Sequence, residues 1–157
     1  MQSSLTILAA EDNPDDVFLL KQAFLKAGVE PVFHAVCDGL EAIAYLSGEG
    51  AYRDRAAYPI PDVLLLDLNM PRCNGFEVLA WIRREPRLAR IATHVLTASS
   101  RPADVQRAYE LGARSYVVKP TRIDDLIAFA GALLEWQRFV VPPPGTPITD
   151  SNTPCPW

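Results

Sequence analysis

Four short stretches of this sequence carry side chains that could act together. Glu11 and Asp12 follow an apolar run ending at Ala10. Asp67 follows Val63–Leu66, with Asn69 two residues further on. Thr97, Ala98 and Ser99 close a run from Val95, and Lys119 and Pro120 follow Tyr116–Val118. Each run has strand length and some β-branched or aromatic content. In an open parallel sheet, ligands bind beyond the carboxyl ends of the strands. Three carboxylates, a hydroxyl and a lysine would converge there on one crevice. Crowded carboxylates raise one another's pKa unless a cation lies among them. Oxygen ligands at a wet, open site suit Mg²⁺, which keeps several waters and often shares a phosphate with the protein. Lysine and hydroxyl beside such an ion are the parts of phosphoryl transfer. A carboxylate can itself be the nucleophile, giving an aspartyl phosphate.

The elements that must hold these residues alternate along the chain. The strands are read as Leu5–Ala10, Val32–Val36, Val63–Leu66, Val95–Thr97 with Ile91 ahead of it, and Tyr116–Val118. Amphipathic helices with readable ends lie between them. Asn13 can cap a helix with Pro14 at its first position and Asp15 and Asp16 in its first turn, ending at Gly28. Asp38 and Glu41 have capping-box spacing before a helix that stops near Gly48. Asn74 can cap Gly75–Arg84, Pro102 opens a helix ending at Gly112, and Thr121 and Asp124 open a last helix to about Val141. The alternation predicts an α/β fold, a five-stranded parallel sheet covered on both faces. Val63–Leu66 is continuously apolar, as a central strand should be.

Composition sets the outer limits. The chain has 157 residues, 49% hydrophobic and 22% charged, with a net charge of −4. That is the profile of one soluble globular domain. A mildly acidic chain argues against nucleic acid or an anionic membrane as partner. No apolar run reaches about 18 residues, and the first residues lack the basic region of a signal peptide. Cys37, Cys73 and Cys155 are too scattered for a disulfide frame or zinc site, which fits a reducing cytoplasm. Six of the 14 prolines fall after Val141. The reading is therefore a domain over 1–141 and a Pro-rich tail over 142–157.

With these stretches assembled, the sequence resembles the receiver domain of two-component response regulators. The resemblance rests on Ala10-Glu11-Asp12-Asn13, Leu65-Leu66-Asp67-Leu68-Asn69-Met70-Pro71, Asn74-Gly75, Leu96-Thr97-Ala98 and Tyr116-Val117-Val118-Lys119-Pro120. Asp38-Gly39 and Glu41-Ala42 also fit. It covers roughly residues 4–140. Within that family the chain is most similar to stand-alone regulators that partner phytochrome-type histidine kinases. The marks are Glu11–Asp16, the long Gly48–Pro61 connection and the Trp136-bearing last helix.

The resemblance implies a flavodoxin-like (βα)5 fold with strand order 2-1-3-4-5. It implies that Asp67 accepts a phosphoryl group from a kinase histidine. Glu11 and Asp12 would hold Mg²⁺ together with Asp67 and the backbone carbonyl of Asn69. Lys119 would pair with the phosphoryl oxygens. Thr97 would swing to hydrogen-bond them, and Tyr116 would change rotamer with Thr97. The Lys119–Pro120 bond is expected to be cis. Two departures from the family pattern stand out. Ile91-Ala92-Thr93-His94 replaces a more apolar approach to the fourth strand. Cys73 lies in the loop after Asp67, within reach of the site for thiol chemistry.

Other readings compete. An aspartate-nucleophile phosphatase usually carries a second Asp two residues after the nucleophile as general acid, and Asn69 stands there. A flavodoxin-like nucleotide binder needs a phosphate-holding loop after the first strand, and Glu11-Asp12 would repel one. A receiver used only as scaffold would lack the acceptor or the lysine, and both are present; a phosphate-sink receiver is the further alternative. His34 and His94, in strands without a second ligand at metal spacing, read as structural. The last helix shows one apolar stripe, Ile123, Ile127, Ala130, Leu134 and Val141, that can pack on the sheet. A second stripe, Phe129, Ala132, Trp136 and Val140, predicts a symmetric homodimer, with the tail reaching along the partner subunit.

Overall fold

The structure, a computed structural model, describes residues 4–28 and 30–141. Five strands form one parallel sheet: β1 Thr6–Ala10, β2 Val32–Val36, β3 Val63–Leu66, β4 Ala92–Thr97 and β5 Ser115–Val118. The strand order is β2-β1-β3-β4-β5, as the resemblance implied. Five helices alternate with them: α1 Pro14–Lys26, α2 Gly39–Ser47, α3 Gly75–Arg83, α4 Pro102–Glu110 and α5 Ile123–Gln137.

The period of two along the strands divides the core. Leu8, Ala10, Leu64 and Leu66 point to one face, where Ala42, Tyr45 and Leu46 of α2, Val78 and Leu79 of α3 and Ala108 of α4 cover them. Ile7, Ala9, Val63 and Leu65 point to the other, against Leu20, Ala23 and Phe24 of α1 and Ala130, Leu133 and Leu134 of α5. The central strands β1 and β3 are buried at every residue, whereas the edge strand β5 is only half-buried.

Local chemistry sets the helix starts. Asn13 caps α1 through its side chain to the Asp15 amide, with Pro14 next. Asp38 caps α2 by accepting from the Glu41 amide at 2.8 Å. Asn74 and Glu77 form a reciprocal capping box at α3. The last helix departs from expectation at both ends. Its N-cap is Arg122 rather than Thr121, without a side-chain cap bond, and it ends at Gln137, short of Val141. Asp124 and Asp125 in the first turn offer charge to the helix dipole instead of a cap. The fourth strand is longer than its sequence suggested. Thr93 and His94 are buried in it, and the His94 ring nitrogen Nδ1 meets the Ser115 hydroxyl at 2.6 Å. A polar residue is tolerated inside when it finds such a partner.

The long connection after α2 is stitched to the core. The Arg55 guanidinium donates to the carbonyls of Tyr45 at 2.7 Å and Leu46 at 2.9 Å, which closes the carboxyl end of α2. The rings of Tyr45, Tyr52 and Tyr58 meet tilted or edge-to-face with centroids 5.0–5.9 Å apart, and His34 lies 5.7 Å from both Tyr45 and Tyr58.

Candidate functional site

The sheet ladder itself brings the carboxylates together. Its hydrogen bonds run one residue past the strands: Glu11 donates its amide to Val36 O at 3.0 Å, Asp67 to Ala10 O at 3.0 Å, and Lys119 to Thr97 O at 2.7 Å. The backbone of three candidate site residues is thus fixed by neighbouring strands. Asp67 and Glu11 are 6% and 7% exposed, while Asp12 is open to solvent. Ligand atoms from Glu11, Asp12 and Asp67 all lie within 4.8 Å of one another.

The Lys119 ammonium reaches into this group. Its Nζ lies 2.5 Å from Glu11 Oε2, 2.9 Å from Asp16 Oδ2 and 3.2 Å from Asp67 Oδ2. Burial alone would lower the lysine's pKa, but its bonds to Glu11 and Asp16 and the charge of Asp67 outweigh that and raise it. Burial pushes Glu11 up to about 7, against the pull of Lys119, and the Asp67 charge adds to the rise. Burial thus disfavours the charged form of Glu11, and a cation among these carboxylates would favour it. The donor set is all oxygen and partly wet, so these residues fit a hard divalent cation such as Mg²⁺. Asp67 Oδ1 also accepts the Asn69 amide at 3.2 Å, which keeps that loop tight against the carboxylate.

The other predicted residues fall around the same crevice. Thr97 ends β4, fully buried, and its hydroxyl has no hydrogen-bond partner. Tyr116 is half-buried, with its hydroxyl donating to Ser99 O at 2.9 Å. Ser99 donates to Asp104 Oδ2 on α4 at 2.6 Å. Lys119–Pro120 is trans, contrary to expectation, since no cis peptide bond occurs among the described residues. The trans form is the intrinsically favoured one, and with it the ammonium already spans to all three carboxylates. Cys73 is buried beneath Gly39, and burial raises its thiol pKa, so it is not placed for thiol chemistry.

Two features escaped the sequence reading. In sequence Asp16 reads only as a first-turn helix acid, yet it shares the Lys119 ammonium with the carboxylate cluster. Only the two adjacent acids Asp15-Asp16 after Pro14 could have signalled it. Arg72 adopts φ 64°, unusual for a residue with a Cβ, and its guanidinium pairs with the Asp38 cap of α2. That pair ties the loop after Asp67 to the neighbouring helix.

The predicted interface residues divide. Phe129 packs against the chain's own core beside α1, so it does not belong to a free stripe. Trp136 is 62% exposed and Val140 half-buried, with Phe139 bare beyond the helix end. The tail, 142–157, lies outside the described residues. No helix among the described residues is long and apolar enough to cross a membrane.

Comparison with known proteins agrees with this geometry. The response regulator receiver domain family matches residues 7–130. Response regulator Rcp1 of Synechocystis sp. is 38% identical over 120 residues, covering 76% of this chain and 80% of that protein. The crystal structure of the phosphorylated cyanobacterial phytochrome response regulator RcpA superposes with a TM-score of 0.81 at 34% identity, covering 90% of this chain and 99% of that one. The response regulator RPA3017, described in red light signalling of R. palustris, gives 0.83 at 31% identity, over 88% of this chain and 98% of its own. The Mn²⁺-bound form of Rcp1 is also similar, at 34% identity and a TM-score of 0.77 over 88% of this chain and 99% of that one. Family match, strand order and the carboxylate–lysine crevice all coincide: the chain belongs to the receiver domain family of response regulators, which are signalling proteins.

Proposed function

We propose that Asp67 of this receiver accepts a phosphoryl group from the phosphohistidine of a phytochrome-type histidine kinase. The observation that carries this reading is the Asp67 carboxylate itself, seated at a strand end 3.2 Å from the Lys119 ammonium and clustered with Glu11 and Asp12. In the transfer, an Asp67 carboxylate oxygen forms a bond to phosphorus as the phosphorus–nitrogen bond to the donor imidazole breaks. Glu11, Asp12, Asp67 and the Asn69 carbonyl are the residues that would hold Mg²⁺. Bound there, the ion would neutralise charge on the transferring oxygens. Lys119 would supply a second positive charge beside Asp67. Thr97, buried with an unsatisfied hydroxyl, is the donor that would turn to a phosphoryl oxygen. Tyr116, bonded to the backbone at Ser99, is the neighbour that would answer that movement on the surface of α4 and β5.

The pairing with a phytochrome-type kinase is supported by the similarity to RcpA, Rcp1 and RPA3017. A cytoplasmic site of action follows from such a donor. A homodimer through the end of α5 is supported by the exposed Trp136 and Phe139 and the half-buried Val140 that follows them.

Intact-mass analysis with acetyl phosphate, with and without Mg²⁺ and beside Asp67→Asn, tests the central claim. A Mg²⁺-dependent phosphoryl adduct that vanishes in the variant is expected. Its absence, together with no consumption of acetyl phosphate, overturns the assignment. Transfer from a phytochrome-type kinase carrying labelled phosphate tests the donor.

A further inference from the structure

Lys119 has three acidic partners, and two of them have other duties. Glu11 belongs to the cluster suited to a cation, and Asp67 is the acceptor. Asp16 does neither: it lies outside that cluster, on the first turn of α1, with a half-exposed side chain. Its carboxylate nevertheless lies 2.9 Å from Lys119 Nζ, a contact between residues 103 apart in sequence.

The backbone beneath Asp16 is firmly held. Asn13 caps the helix through the Asp15 amide at 2.9 Å, and its own amide donates to Glu11 Oε1 at 3.0 Å. Pro14 presets the first helical residue. One turn on, Leu20, Ala23 and Phe24 lock α1 to the sheet. Lys119 starts from the end of a half-buried edge strand and has four rotatable bonds, so its position needs an anchor. We infer that Asp16 is a positioning residue whose carboxylate anchors the Lys119 ammonium over the Asp67 acceptor. This rests on the reading of Asp67 as acceptor.

When Glu11 and Asp67 turn to a cation and a phosphoryl group, Asp16 is the partner that remains to hold the lysine in reach. The bland alternative is an ordinary first-turn acid that favours the helix dipole. In that case removing its charge has the same effect whether or not Lys119 is present.

Two measurements in saturating Mg²⁺ separate these. The first is a double-mutant cycle of Asp16→Asn and Lys119→Met on the folding constant from urea unfolding. Asp16→Asn is expected to lower the constant at least fivefold beside Lys119, and less than twofold in the Lys119→Met background. Equal effects in both backgrounds overturn the inference. The second is the rate of adduct formation from acetyl phosphate. Groups that orient a working side chain typically cost about 10–100-fold when removed, so Asp16→Asn should slow the reaction about tenfold, with Asp16→Glu recovering most of it. A coupled cycle with an unchanged rate makes the pair purely structural and overturns the positioning role. A wild-type chain that forms no adduct, while the cycle still shows coupling, sinks the acceptor reading and with it the positioning role, and leaves only a structural Asp16–Lys119 pair.

Discussion

Replacing Lys119 by methionine should make the metal-free protein markedly less stable and make it bind Mg²⁺ more tightly. The ammonium lies 2.5–3.2 Å from three carboxylates and is 21% exposed. At an effective dielectric of 20, one such pair at about 3 Å is worth roughly 5 kcal/mol. Most of that is offset by desolvation of the ions and by repulsion among the carboxylates. Removing one member of a buried charge group typically costs about 3–5 kcal/mol. The partial exposure of Lys119 brings the expectation to about 2–4 kcal/mol. Urea unfolding with EDTA reads this directly, as a lower midpoint with unchanged slope. Mg²⁺ should then restore more stability to the variant than to the native chain, because the ion no longer competes with an ammonium for Glu11 and Asp67. A tenfold tighter dissociation constant adds about 1.4 kcal/mol at saturating Mg²⁺. A variant as stable as the native chain in EDTA, or one gaining no more from Mg²⁺, would show that the lysine does not neutralise this cluster.

Other outcomes follow from the same geometry. Gly75→Ala places a Cβ 2.4 Å from the Asp67 carbonyl oxygen and 2.9 Å from Leu68 Cα, both backbone. Stability should fall by about 1–3 kcal/mol, and phosphorylation from acetyl phosphate should slow as Asp67 shifts. His94 is buried, and burial, aided by the Arg114 charge, lowers its pKa to about 4. The unfolded chain therefore binds more protons between about pH 4 and 6.5, so stability falls with acidification there, by on the order of 3 kcal/mol. Glu11 is shifted the other way, to about 7, so in EDTA its contribution is full below pH 4.5 and fades as pH rises through 7. The two slopes oppose, and urea midpoints against pH should tilt upward in Glu11→Gln and downward in His94→Leu relative to the native chain. For the same reason Mg²⁺ affinity, by calorimetry, should weaken as pH drops below about 7, where Glu11 must first lose its proton. Trp136→Glu should convert a dimer to monomer by light scattering; an unchanged mass places the interface elsewhere.

The clustering of the candidate residues was legible in the sequence because they stand at strand ends. Asp67 and Lys119 each close an apolar run, and a parallel sheet leaves such positions only one place to meet. Strand β3 declared itself by four consecutive apolar residues. What the sequence hid depends on the third dimension. Asp16 and Lys119 are joined by a side-chain reach across two elements, which no local spacing encodes. Arg55 serves α2 from a loop, so its role appears only once that loop has folded back. Phe129 and Trp136 share a helical stripe in sequence, but α1 covers the first and leaves the second bare. The end of α5 was overestimated because Phe139-Val140-Val141 continues an apolar pattern after the helical hydrogen bonds stop.

The stitched connection between α2 and β3 has a kinetic meaning. A loop of that length would ordinarily open by itself, and its amides would exchange with solvent in small, independent fluctuations. Here the Tyr52 amide bonds to Glu49 O, the Tyr58 amide to Asp54 O and the Asp62 amide to Thr6 O. Three tyrosine rings and the Arg55 fork fasten the same stretch to α2. Opening it requires separating the rings and uncapping a helix at once. Hydrogen exchange should therefore show the protection of this segment lost together with that of the strands in one global event.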